Sequence, residues 1–171
     1  MGGVAAVDFC EEQGASFKRA RQGIRAEVSE LTLGQHRAIV VLPMTFMNES
    51  GQSVAPIVRY YGIEPDNLLV VHDDIDLPFA RIKVQWDGGH GGNNGVRSIA
   101  QSMKSPDFWR LKIGVGRPPG RMDPADYVLS KFRGSERDDI AVSLGRASDV
   151  IGDFIVFGGE SARQSAGELN D

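Results

Sequence analysis

The sequence predicts a single α/β domain with a mostly parallel, mixed central sheet flanked by helices. Three observations carry this expectation. Short β-branched apolar runs stand at 36–43 (HRAIVVLP) and 67–72 (NLLVVH). Segments of helical period separate and follow them. At 171 residues the chain has a one-domain length that can bury a real core.

The two nearly continuous runs read as strands buried on both faces. Val54, Ile57, Val58 and Tyr61 fall at i, i+3, i+4, i+7 between them, the spacing of a helix face. Residues 81–86 (RIKVQW) and 110–115 (RLKIGV) alternate more, as half-exposed strands do. Val96, Ile99, Ala100 and Met103 set a second helix between these strands. Asp123-Pro124 reads as a helix start with Pro at the first position. A longer helix from Ser135, its candidate cap, carries Ile140, Leu144, Ala147, Ile151 and Phe154 on one stripe. Residues 158–171 have little apolar content and are expected to fray as a flexible tail, leaving 1–157 as the domain.

Composition narrows the function classes. The single cysteine, Cys10, excludes an internal disulfide and a Cys-rich zinc site. No apolar run approaches the roughly 20 residues that span a bilayer. The N-terminus lacks a charged region followed by an apolar stretch, so the expected compartment is cytoplasmic. The net charge of −4 argues against a general nucleic-acid binder, but the charge is uneven. Residues 1–80 carry 6 basic and 11 acidic side chains, 81–121 carry 8 and 2, and 122–171 carry 5 and 10. A basic block on an acidic protein fits a polyanion docked at one place. Cations covering a solvated sheet edge are the plainer reading.

Ligands of open α/β sheets bind outside the carboxyl ends of the strands. Three polar clusters are expected there: Thr45-Phe46-Met47-Asn48, His72-Asp73-Asp74, and the loop Gly88-Gly89-His90-Gly91-Gly92-Asn93-Asn94-Gly95. The loop is either a flexible surface segment or a backbone that presents N–H groups to a ligand. Asn94 adds an amide that both donates and accepts, which suits a carbonyl, ester or ribose hydroxyl better than a metal. Asn48 is either the cap of the following helix or an amide facing the cleft beside Phe46, which could stack on a base. The cluster Asp73-Asp74-Ile75-Asp76 invites a metal reading, a phosphohydrolase using all three carboxylates, but no G-K-[ST] loop accompanies it. Alternatively Asp73 orients a histidine base, with Asp74 and Asp76 serving as turn and capping residues. Among the histidines, His36 is expected to be exposed, His72 to be structural, and His90 to titrate near neutrality. The G-x-G-x-x-G fingerprint is absent, which argues against a nicotinamide enzyme.

Taken together, Pro43-Met44-Thr45-Phe46-Met47-Asn48-Glu49-Ser50-Gly51, Val71-His72-Asp73-Asp74-Ile75-Asp76-Leu77-Pro78, the glycine loop running into Gly95-Val96-Arg97-Ser98-Ile99, and Arg110-Leu111-Lys112-Ile113-Gly114-Val115-Gly116-Arg117-Pro118 resemble the bacterial-type peptidyl-tRNA hydrolase family. Order and spacing match over almost the whole chain. The resemblance implies a monomeric α/β domain that hydrolyses the ester between a peptide and the 3′ ribose of tRNA, recycling tRNA from stalled translation. It implies peptidyl-tRNA as partner, no membrane, no cofactor and no metal. Phe46 and Asn48 match positions that contact the tRNA end and the peptide backbone. Asn94 matches the amide that holds the substrate or the attacking water, and Asp73 the carboxylate that stabilises the catalytic histidine. Arg110 and Lys112 fall in the region expected to receive tRNA phosphates.

The sequence also departs from the family pattern. The family's first strand and the histidine general base precede the part that Met1–Asp8 resembles, so both are expected to be missing from this chain. Asn93 replaces a common histidine, and Gln85 stands where lysine is frequent. Loss of a general base removes typically 10²–10⁴-fold in rate. Two readings follow: an N-terminally shortened hydrolase, or a tRNA- or RNA-binding relative without catalysis.

Overall fold

The computed structural model describes residues 1–118, 120–123, 126–127 and 136–170. The elements are α1 (Gly2–Glu12), β1 (Lys18–Arg19), β2 (Ala26–Leu33), β3 (His36–Pro43), α2 (Ser50–Tyr61), β4 (Leu69–Asp74), β5 (Ile82–Trp86), α3 (Asn94–Met103), β6 (Trp109–Gly114), α4 (Arg137–Phe157) and α5 (Gly159–Leu169). Short 3-10 turns at Met47–Glu49 and Pro65–Asn67 lead into α2 and β4.

Among the described residues the strands form two three-stranded sheets, β1-β2-β3 and β4-β6-β5. The α/β architecture with a mixed sheet is present, but the expectation of mostly parallel pairing is corrected. Only β4–β6 is parallel, while β1–β2, β2–β3 and β5–β6 are antiparallel. Connection length explains this. A parallel crossover needs a dozen or more residues, and the links from β2 to β3 and from β4 to β5 are shorter. A second correction concerns burial. Strands β3 and β4 were expected to be covered on both faces, yet most of their residues are half-buried. Each is the end strand of its sheet among the described residues, so one side lacks a neighbouring strand.

The two faces of the β4-β6-β5 sheet pack into different hydrophobic clusters. Trp109, Leu111 and Ile113 point into the main core with Ile82 and Val84 of β5, Phe9 of α1 and the α4 stripe. Ile140, Leu144, Ala147, Ile151 and Phe154 are all buried, as their spacing predicts. On the opposite face α2 and α3 pack through Val54, Val58, Val96 and Ile99 against Phe108. The two helices approach closely at Gly51, where a Cβ would overlap the Ser98 carbonyl oxygen. Gly51 N–H donates to Ser98 Oγ at 2.9 Å in the space so gained.

The tail expectation for 158–171 is also corrected. Residues Gly159–Leu169 form α5, with Ala162 and Ala166 buried in the main core. Asn170 closes the element by hydrogen bonds to both Ile82 N–H, at 3.0 Å, and Ile82 C=O, at 2.6 Å. Small residues at i, i+3 and i+7 let this helix lie close to the sheet, and their low hydropathy hides it in the sequence. Of the helix starts read from sequence, Pro124 and Ser135 lie outside the described residues. Asp123 is described, and its carbonyl accepts from Tyr127 N–H at 3.0 Å.

Candidate active site

Strand direction decides what can meet. The register places Leu69 and Trp86 opposite Trp109, and Asp73 and Ile82 opposite Ile113. The glycine loop therefore leaves β5 at the end of the sheet away from Asp73, not at the shared carboxyl edge the sequence suggested. Four residues of strand, about 13 Å, separate the two levels. The loop doubles back over that distance. It turns at Asp87 and Gly88, which have φ of +61° and +98°, the second being natural only for glycine.

At its far end the loop meets β4. Asn93 Nδ2 donates to the Asp73 carbonyl at 3.4 Å, and Asn93 Oδ1 accepts from Val96 N–H at 3.0 Å as the cap of α3. The 46–48 segment joins them, since a Cβ on Gly95 would stand 3.0 Å from Met47 Sδ. Three loops thus converge as expected, though one arrives by a return path.

Asn48 lies in the 3-10 turn and is exposed. The reading of Asn48 as the cap of α2 is not met, because that helix begins at Ser50 after Glu49 with no side-chain cap. Phe46 is 78% exposed and open to stacking. Asn94 opens α3, is exposed, and makes no side-chain hydrogen bond among the described residues. Asp73 is partly exposed, and the Met1 nitrogen stands 3.7 Å from its Oδ1.

The neighbouring carboxylates have structural work. Asp74 Oδ1 accepts from Asp76 N–H at 2.8 Å, an Asx turn, and Oδ2 pairs with Lys112 at 3.6 Å. Asp76 pairs with Arg117. No group of three metal-ligating side chains occurs among the described residues.

His72 is buried, with Nδ1 2.9 Å from the Asp73 carbonyl, so the ring donates there as the Nδ1–H tautomer. Burial lowers its pKa below the ordinary value, the Asp73 carbonyl opposes this, and Lys112 adds to the lowering. As strand neighbours, His72 and Asp73 point to opposite faces. His90 Nδ1 accepts from Gly92 N–H at 3.0 Å within its own loop. His36 is exposed at the start of β3.

The basic residues divide. Lys112 lies opposite Lys83 across the antiparallel ladder and beside His72 across the parallel one. Lys83 is exposed, so the pair presents two like charges on one face, relieved in part by Asp74. Arg110 is different. The sequence places it among phosphate contacts, but it is only 1% exposed. Its guanidinium donates to the carbonyls of Pro106, Phe108 and Gly88 at 3.2, 3.0 and 3.1 Å and lies 4.3 Å from the Phe108 ring centroid. Burial pulls its pKa down, with Asp87 and Asp107 opposing. A side chain so enclosed cannot meet a phosphate outside without the loop opening.

Sequence reasoning missed two residues. In the sequence Asn93 marks only a departure from the family pattern, whereas in the structure it ties the loop to β4. Its signal was its position just before a helical period, where Asn caps. Lys83 is one of eight cations in the basic block, and nothing in the sequence sets it apart, because its pairing with Lys112 depends on strand register.

Comparison with known proteins bears on the family and the fold. The peptidyl-tRNA hydrolase family model matches residues 2–169. The chain is 42% identical over 151 residues to a peptidyl-tRNA hydrolase of Mycobacterium marinum, covering 88% of this chain and 78% of that protein. It is 39% identical over 163 residues to that of Mycobacterium avium, covering 95% and 85%. Among solved structures, the peptidyl-tRNA hydrolase of Acinetobacter baumannii superposes with a TM-score of 0.81 at 28% identity, over 98% of this chain and 83% of that one. A complex of peptidyl-tRNA hydrolase with N-propanol superposes at 0.85, also at 28% identity, over 99% and 84%. No helix among the described residues is long and apolar enough to cross a membrane.

Proposed function

The chain belongs to the peptidyl-tRNA hydrolase family, and we propose that the cleft between Asp73, Asn48 and Asn94 receives the peptide–ribose ester of peptidyl-tRNA. The observation that carries this reading is the convergence at Asp73. Asn93 brings the α3 N-terminus onto β4, leaving the adjacent Asn94 amide open beside an unengaged Asn48 and an exposed Phe46.

The chemistry follows from the residue types. Hydrolysis needs water to attack the ester carbonyl carbon, a base to take its proton, and donors to hold the oxygen that gains charge. Asn94 supplies a donor for the carbonyl oxygen and an acceptor for the water. Asn48 holds the peptide backbone, and Phe46 stacks on the terminal base or ribose. Asp73 is placed to stabilise the cation of a base that takes this proton, a base that the test below supplies as free imidazole. Lys83 and Lys112 draw the phosphates, so affinity falls with salt. The reading carries with it a monomer acting in the cytoplasm.

None of the three imidazoles faces the Asp73 carboxylate: His72 lies on the other face, His90 is folded into its loop, and His36 begins β3. Cleavage by these residues alone is therefore slow compared with binding. The same observation favours a second reading, a tRNA-binding relative that does not cleave. The test is incubation with N-acetylphenylalanyl-tRNA, in plain buffer and with added imidazole. Release of N-acetylphenylalanine and intact tRNA that Asn94→Ala abolishes supports the hydrolase. Salt-dependent binding with decay at the buffer rate under both conditions supports the second reading. Absence of binding overturns both.

A further inference from the structure

We propose that Arg110 is a positioning residue: its buried guanidinium latches the turn of the glycine loop so that Asn93 and Asn94 arrive at Asp73. The inference rests on the proposed cleft for its functional meaning, but its geometry stands alone.

A loop leaving β5 at Trp86 must reverse to reach the level of Asp73. The reversal is fixed by the N-terminal end of β6 and the residues before it. Asp87 N–H donates to the Phe108 carbonyl at 3.1 Å, and Gln85 Nε2 donates to the Asp87 carbonyl at 3.3 Å. Arg110 then takes the next carbonyl, that of Gly88, at 3.1 Å. The same guanidinium holds Pro106 and Phe108, so one rigid planar fork joins the loop to the strand entry. Beyond this turn the loop's hydrogen bonds are local: Gly92 N–H to His90 Nδ1 and Asn93 N–H to the His90 carbonyl at 2.9 Å. The next tie to the sheet is Asn93 on Asp73. The loop is thus a span held at two ends, Arg110 at one and Asn93 at the other. A buried cation bonded to three carbonyls is poor at binding phosphate and well suited to fixing backbone direction.

Arg110→Lys keeps the charge and loses the fork, and Arg110→Met loses both. Three measurements are made on each: amide hydrogen exchange at Asp87 and Asn93, tRNA affinity with its salt dependence, and the single-turnover rate with N-acetylphenylalanyl-tRNA in imidazole. The latch predicts at least tenfold faster exchange at both amides and at least a tenfold slower rate. It also predicts tRNA affinity within about twofold of the parent and an unchanged salt slope. A salt slope lowered by about one means that Arg110 contacts phosphate and overturns the latch, as does unchanged exchange. If Arg110→Met fails to fold, Gly88→Ala disturbs the same turn from the loop side and must reproduce the pattern; parental exchange and rate in that variant overturn the proposal. If the parent chain neither binds nor cleaves the substrate, the hydrolase reading falls, while the exchange data still judge the latch.

Discussion

The Asn93 amide bridges the Asp73 carbonyl and the first turn of α3, donating to one at 3.4 Å and accepting from Val96 N–H at 3.0 Å. One side chain therefore serves helix stability and site geometry together, and two substitutions separate them. Asn93→Asp keeps a good capping acceptor but loses the donor to Asp73, so stability changes by no more than about 0.5 kcal/mol while cleavage slows. Asn93→Ala loses both and costs about 1 kcal/mol as well. Urea unfolding and single-turnover cleavage measured on the same samples check the split.

Lys83 and Lys112 face each other across β5 and β6. If both meet phosphates, Lys83→Gln and Lys112→Gln each reduce the slope of log affinity against log salt by roughly 0.7–0.9. Fluorescence anisotropy with labelled tRNA across a salt series measures it. Slopes equal to the parent's would place the phosphates elsewhere.

Gly51 allows α2 and α3 to touch, since a Cβ there would overlap Ser98 and Ser102. Gly51→Ala must push the helices apart and break the bond to Ser98 Oγ. The expected loss is about 1–3 kcal/mol, read as a lower urea midpoint. Because α3 carries Gly95 to the cleft and the turn leading into α2 carries Met47, the rate should fall as well.

His72 gives the fold a pH dependence of known sign. Its folded pKa lies below the unfolded value of about 6.5, so the unfolded state binds the proton more readily. This contribution is intact above about pH 6.5 and is lost as the pH falls from there through the folded pKa. Urea midpoints taken from pH 7.5 down to 5.5 should decline, and less steeply in His72→Asn. An equally steep decline in that variant would assign the effect to other groups.

Much of the molecule was legible because it depends on local pattern. The α4 stripe, the α2 and α3 faces and the turn role of Asp74 follow from spacing and residue type. What the sequence concealed depends on pairing across distance. The direction of β5 changes which end of the sheet the glycine loop leaves from. The short link from β4 was a clue, but the partner strand β6 was not. Arg110 looks like its exposed neighbours in a basic block, and only the carbonyls gathered around it reveal a buried cation. Helix α5 escaped because Gly159, Ala162 and Ala166 pack by being small, which lowers the apolar signal that marks a buried face.

The role proposed for Asp73 is to stabilise the cation formed on a base during cleavage of the peptide–tRNA ester. Its most direct test is the imidazole dependence of N-acetylphenylalanyl-tRNA cleavage by the parent chain and by Asp73→Asn. Imidazole is expected to accelerate the parent in a saturable way, and Asp73→Asn to lose at least tenfold of this acceleration at unchanged tRNA affinity. Equal acceleration in both chains would contradict it.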